Sequence, residues 1–226
     1  MRRAAVVVAI GWLLTGAAAA QSPAPIATPS PADILFEAPQ MQSVQPGTLL
    51  TYRYHRTSGI AGDPFGPPID DHIRLNIEAG TTPATRTVRV EMLSGERRRP
   101  AGPFEDVTAN PVLILFLEHH LDDLARVLGG NPRYIKTAIR AALRDRAAIT
   151  RVEVSQGGHA VPAWRIEIRP LADDPNPARL RGFETLDYVF VASDAVPGAI
   201  LSINIEAGPP GGKLLEESLT YDQDAH

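Results

Sequence analysis

The chain has 226 residues, with 22 Lys and Arg against 26 Asp and Glu, and its formal net charge is -4. This length corresponds to one domain, or to one domain and a tail. Proteins that bind nucleic acids use an excess of Lys and Arg to neutralise the backbone phosphates. This chain has no such excess, so we expect no nucleic-acid partner. Because the sequence contains no cysteine, thiol catalysis, zinc–thiolate sites, iron–sulfur clusters and disulfides are excluded.

Residues 1–20 have the pattern of a secretory signal peptide. Arg2 and Arg3 form a positive start, residues 4–14 are an apolar run, and three alanines at 18–20 precede Gln21. An apolar helix of that length rises about 16 Å, which is short of the hydrocarbon core of about 30 Å. We therefore expect secretion rather than a membrane anchor, and we expect a bacterial periplasm as the destination.

Residues 21–32 read QSPAPIATPSPA and carry four prolines. Such a composition favours an extended, polyproline-like chain over a packed element. We interpret this segment as a linker and place a single β-rich domain at residues 33–226.

Period-two alternation dominates that domain. Ile73, Leu75 and Ile77, for example, alternate with polar residues, as expected for a strand with one buried face. Gly- and Pro-rich turn signals separate the alternating segments. The predicted strands lie at 49–56, 72–78, 87–92, 152–154, 164–169, 186–191, 201–206 and 214–221.

A helical insertion at residues 111–145 interrupts the strands. Asn110 and Asn131 are predicted N-caps, each followed by a proline at the first helical position, and Gly129 ends the first helix. The sequence therefore predicts a mainly β (α+β) fold: a curved antiparallel sheet or incomplete barrel of about eight strands, with two helices inserted after strand three.

Two helices of about 10 Å diameter cannot cover a sheet about 34 Å wide. The uncovered apolar face is either filled by its own side chains or lines a ligand cavity. Residues 112–117 (VLILFL) are apolar on every side of the helix, which is typical of a core plug or of a lid over an apolar ligand. The candidate ligand or lid residues are Val112, Leu113, Leu115, Phe116 and Trp164.

Arg133, Lys136, Arg140 and Arg144 form one basic stripe on the second helix, opposite its apolar stripe. A charged stripe of this kind is either a solvated face or a surface that meets anionic lipid head groups, in which case peripheral membrane contact follows.

A second polar cluster spans residues 118–123 of the first helix. His119 and Asp123 share one helix face, as two metal ligands would, but the full HExxH spacing is absent. We interpret the cluster as a solvated polar face. The sequence contains no GxSxG, P-loop or GxGxxG motif, so we assign no catalytic residue, metal ligand or cofactor.

The strand–turn–strand run at residues 188–200, YVFVASDAVPGAI, together with the signal peptide, the one-sided sheet and the inserted helices, resembles the periplasmic lipoprotein carriers of the LolA and LolB type and related secreted bacterial proteins. The chain departs from those carriers in its Pro-rich leader and in having two helices together in mid-chain, so no functional residue is carried over. The resemblance implies binding of acyl chains or lipid-linked cargo.

Three hypotheses follow for function. The first is a non-enzymatic periplasmic carrier of a hydrophobic ligand, either an acyl chain or a lipid-linked molecule. The second is a structural or protein-interaction module of the cell envelope, with a filled core and edge strands that bind a protein partner. The third is a hydrolase whose site has no recognisable motif.

Overall fold

The computed structural model describes residues 28–209 and 211–225, and the predicted signal peptide and most of the predicted linker lie outside them. Within the described residues, nine strands form one open antiparallel sheet in the order β4-β3-β2-β1-β9-β8-β7-β6-β5. The strands are β1 (Leu49–Ser58), β2 (Ile69–Ala79), β3 (Arg86–Met92), β4 (Arg99–Val107), β5 (Ala148–Gln156), β6 (His159–Ile168), β7 (Asp187–Ala192), β8 (Ile200–Ala207) and β9 (Leu215–Tyr221).

The alternating segments form strands as predicted, because alternate side chains point to opposite faces of a sheet. In β2, Ile73, Leu75 and Ile77 are buried on one face, whereas Asn76 and Glu78 are exposed on the other. The mainly β, antiparallel character of the fold is therefore confirmed.

Strand β4 was not predicted. Its sequence, RPAGPFEDV, holds two prolines and no alternation, and its pairing with β3 includes two register shifts. Proline is tolerated at the edge of a sheet because an edge strand has one row of unpaired N–H groups. The predictions of eight strands and of an insertion after strand three are consequently wrong: the sheet has nine described strands, and the helices follow the fourth.

The inserted helices, α1 (Pro111–Leu128) and α2 (Pro132–Asp145), begin and end where the sequence predicts. The side chain of Asn110 accepts a hydrogen bond from the Val112 amide at 3.1 Å, and Asn131 accepts one from the Arg133 amide at 2.9 Å. Gly129 adopts the left-handed conformation, with φ of 65°, that ends α1. A three-residue connection then makes the two helices a hairpin.

The helical hairpin connects the edge strand β4 to the opposite edge strand β5 and packs on the apolar face of the sheet. Large side chains fill the space between these layers; Tyr52, Tyr188, Phe116 and Phe190 are at most 1% exposed. Four single turns complete the described fold, at Asp33–Glu37, Gly95–Arg97, Pro177–Leu180 and Phe183–Thr185. We call the first of these the N-terminal turn.

Among residues 28–209 and 211–225, every helix is too short or too polar to cross a membrane.

Candidate functional site

An apolar groove of about 610 Å³ lies between α1, α2 and the chain around the N-terminal turn. Its volume is within the range of roughly 300–1,000 Å³ that is usual for ligand-binding clefts. The residues that line it are Ser30, Pro31, Ala32, Phe36, Ile114, Leu117, Glu118, Leu121, Lys136, Ile139, Arg140, Leu143 and Arg144.

The groove lies between the two helices of the hairpin, beside the N-terminal turn. Ile114, Leu117 and Leu121 recur at i, i+3 and i+7 and therefore share one side of α1. Phe116 and His120 point from another side of the same helix into the layer beneath it, where both are buried. Ile114 is 50% exposed, so its apolar side chain is open to a ligand.

Helix α2 supplies the opposite wall. Ile139 and Leu143 form its apolar part, and Lys136, Arg140 and Arg144 line the groove beside them, so the basic stripe is adjacent to the apolar stripe and not opposite it as predicted. Three of the four predicted head-group residues thus lie at one apolar groove. The fourth, Arg133, is exposed and does not line the groove.

Two of the three lining cations have carboxylate partners. Lys136 Nζ lies 3.4 Å from Glu118 Oε1 on α1, and Arg144 Nη2 lies 2.8 Å from Asp145 Oδ2. The side chain of Arg140 makes no ion pair or hydrogen bond with the part of the chain that the structure describes.

None of the five predicted ligand or lid residues lines the groove. Val112, Leu113 and Phe116 are buried by contacts in the main core, and Leu115 is half-buried against it. Trp164 lies on β6, with the guanidinium carbon of Arg151 4.8 Å from its ring centroid. A ligand role for these five residues stays a prediction.

The basic stripe is visible in the sequence, whereas the apolar walls beside it are not. Ile114 and Leu117 belong to the predicted lid segment, but no local pattern indicates that they face Ile139 and Leu143 across a groove. Phe36 comes from the N-terminal turn, far away along the chain. The residues 30–32, assigned to the end of the linker, also line the groove.

No model of a known protein family matches this chain, and no curated protein gives a significant match. A fold can host many activities, so the chemistry of the groove carries the information about function.

A buried polar network lies on the sheet-facing side of α1. His120 Nδ1 is 2.7 Å from Glu217 Oε2, and His120 Nε2 is 2.8 Å from the Tyr188 hydroxyl. The Tyr54 hydroxyl donates to the other oxygen of Glu217 at 2.6 Å. The network thereby connects α1 to β1, β7 and β9.

Asp123, one turn further along α1, forms a second connection to β1. It forms an ion pair with Arg56, which also donates to the carbonyl oxygen of Phe65, and a second ion pair with Arg126, whose Nη1 lies 2.8 Å from its Oδ1. The expectation of a solvated polar face at residues 118–123 is therefore wrong for Asp123, which is buried beside Arg56 of β1, and His120 is buried beside Glu217 of β9.

Opposing effects act on the titration of this network. Burial raises the pKa of Glu217, but His120, the Tyr54 hydroxyl and Arg56 together outweigh it and hold that pKa below its usual 4.5. Burial lowers the pKa of His119 and outweighs the attraction of Asp123. Within residues 28–209 and 211–225, no three His, Asp or Glu side chains are grouped so that they could hold a metal ion. The network is thus a set of satisfied, buried contacts that fix α1 on the sheet.

Proposed function

We propose that the chain is a non-enzymatic periplasmic binding or carrier protein, and that an acyl chain of its ligand lies in the apolar groove. The observation that carries this proposal is the groove itself: an open apolar cleft of about 610 Å³ between the two helices and the N-terminal turn.

The exposed part of the groove has an energetic cost in the unliganded protein. Ile114 is half exposed beside Leu117 and Leu121, which are nearly buried. An acyl chain in the groove removes apolar surface from water on both partners, at about 25 cal/mol for each Å². An apolar ligand is therefore favoured over a polar one at this position.

The proposal also takes the sheet to be curved around the hairpin as an incomplete barrel. Nine strands at about 4.8 Å spacing are about 38 Å wide when flat, and two helices cover about 20 Å. Curvature lets two helices bury one face of so wide a sheet. Such an arrangement agrees with the resemblance to periplasmic lipoprotein carriers.

Substitution of Ile114 by Glu tests the function. A carboxylate in the apolar wall loses hydration when a chain binds, so we expect Ile114→Glu to weaken binding of a fluorescent fatty-acid probe at least tenfold. Leu49→Glu is the matched control, since Leu49 is also an exposed apolar residue but lies on β1, outside the groove. Equal affinities of the wild type and both folded variants would contradict the proposal.

The second candidate is an envelope interaction module with a filled core. Its support is the close packing between sheet and helices and the two edge strands, β4 and β5, each paired on one side within the described sheet. A protein that binds no acyl-chain probe but retains an envelope partner through an edge strand favours this candidate.

A further inference from the structure

We infer that the groove selects a single-chain amphiphile with an anionic head group, a carboxylate or a phosphate, and that Arg140 is the residue that contacts the head group. This inference rests on the proposed function, since it specifies the ligand class of the same groove.

The cations of α2 are placed along the groove. Lys136, Arg140 and Arg144 recur at i, i+4 and i+8 on α2, and all three line the groove. They extend about 12 Å along the helix, at 1.5 Å per residue. A ligand whose chain lies on Ile139 and Leu143 therefore has cations close enough to contact its head group.

The charges around the groove do not balance. The lining contains three cations and one carboxylate, Glu118, which gives a local charge of +2. Asp145, outside the lining, pairs with Arg144 and lowers the sum to +1. The remaining positive charge is matched by one anionic head group.

Of the three cations, Arg140 is the one available to a head group. Lys136 and Arg144 are engaged with Glu118 and Asp145, whereas Arg140 lies between them with no carboxylate partner in residues 28–209 and 211–225. A guanidinium presents its N–H groups as a planar fork that matches two oxygens of a carboxylate or a phosphate. Arg140 is thus the cation that a head group meets without displacing an existing ion pair.

The volume supports one chain rather than several. At about 610 Å³ the groove is of the size that encloses one drug-sized molecule. A ligand with one chain places its head group at the rim, where the cations lie, while the chain covers the apolar walls.

The test compares ligands that share a chain and differ at the head. Dodecanoate, dodecyl phosphate and dodecanol compete with a neutral fluorescent alkyl probe for the wild type and for two variants. Because Arg140 is exposed, its contribution is modest and screened by salt, so we expect Arg140→Gln to weaken binding of dodecanoate and dodecyl phosphate about fivefold at low salt. Binding of dodecanol stays unchanged, and high salt removes the difference.

Arg133→Gln is the matched control, since it removes the same charge from an exposed position of α2 outside the groove. We expect it to leave all three affinities unchanged. Preference for dodecanoate assigns a carboxylate head group, and preference for dodecyl phosphate assigns a phosphate.

The outcomes separate the two proposals. If dodecanol binds as tightly as both anions and Arg140→Gln changes nothing, the head-group inference is overturned while the acyl-chain groove stands. If none of the three ligands binds the wild type, the proposed function fails. If the wild type is a dimer in sedimentation and Ile114→Glu is a monomer, a second copy of the chain occupies the groove, which overturns both.

Discussion

Glu217 shows how a single buried residue links the sheet to the helical hairpin. Its carboxylate accepts from Tyr54 on the neighbouring strand and pairs with His120 on α1. Both partners are buried with it, so loss of the Glu217 charge would weaken the contacts of the Tyr54 hydroxyl and the His120 ring where water cannot replace them. The same pairing makes the stability of the fold depend on pH.

The sign of that dependence follows from the lowered pKa of Glu217. Well above pH 4.5 the carboxylate is ionised in both states and its stabilising contribution is complete. As the pH falls below 4.5 through the folded-state value, the unfolded chain takes up the proton first, so the contribution is lost. We expect the free energy of unfolding, measured by urea titration, to fall steeply in this range.

Glu217→Gln isolates this contribution. At pH 7 the variant is expected to lose about 2 kcal/mol or more, because a buried hydrogen-bonded charge is replaced. Glu216→Gln on the same strand removes an ion pair with Lys213 that is about half exposed, so its effect stays within about 0.5 kcal/mol. A wild-type to Glu217→Gln difference that does not shrink below pH 4.5 would show that Glu217 is not the titrating group.

At the scale of an element, both helices have an asparagine as N-cap, but one cap is buried and the other is exposed. Asn131 caps α2 at an exposed position, whereas Asn110 caps α1 and also donates to the Tyr52 hydroxyl and the Gly198 carbonyl, both at 2.9 Å. The first cap contributes to its helix alone, and the second also fixes the start of α1 on the sheet.

Alanine substitution of each cap tests this difference. We expect Asn131→Ala to lower the free energy of unfolding by about 1 kcal/mol, as an ordinary cap does. Asn110→Ala is expected to cost about 2–4 kcal/mol, since it also leaves the buried Tyr52 hydroxyl without its partner and removes one of the two hydrogen bonds to the Gly198 carbonyl. Equal losses in chemical denaturation of the two variants would contradict the buried role of Asn110.

The elements differ in how well the sequence predicts them. The caps at Asn110 and Asn131 and the alternation of Ile73, Leu75 and Ile77 are local signals, so the helices and the inner strands could be predicted. Strand β4 could not be predicted, because Pro100 and Pro103 disfavour a strand. It forms through its pairing with β3, which is a contact in the folded structure and not a local sequence signal.

At the scale of the whole molecule, the sheet is assembled in two halves. The chain runs outward from β1 to the edge at β4, crosses the apolar face through α1 and α2 to the other edge at β5, and returns until β9 pairs with β1. This order brings distant residues together: His120 and Glu217 are 97 positions apart, and Arg56 and Asp123 are 67 positions apart.

The candidate site depends on the same long-range order. The basic stripe on α2 could be predicted because 3.6-residue periodicity is local, but the groove also needs Phe36 and Ile114, which lie on other elements. No periodicity in a single sequence indicates which side of the hairpin stays open. The stripe is therefore a sequence prediction, and the groove is a finding of the structure.

Native mass spectrometry of the chain, purified without detergent, tests the acyl-chain groove most directly. We expect a stoichiometric adduct with the mass of one acyl-chain ligand, which organic extraction removes and which Ile114→Glu fails to retain. A bare mass that stays bare after incubation with single-chain lipids would contradict the carrier function and favour the envelope interaction module.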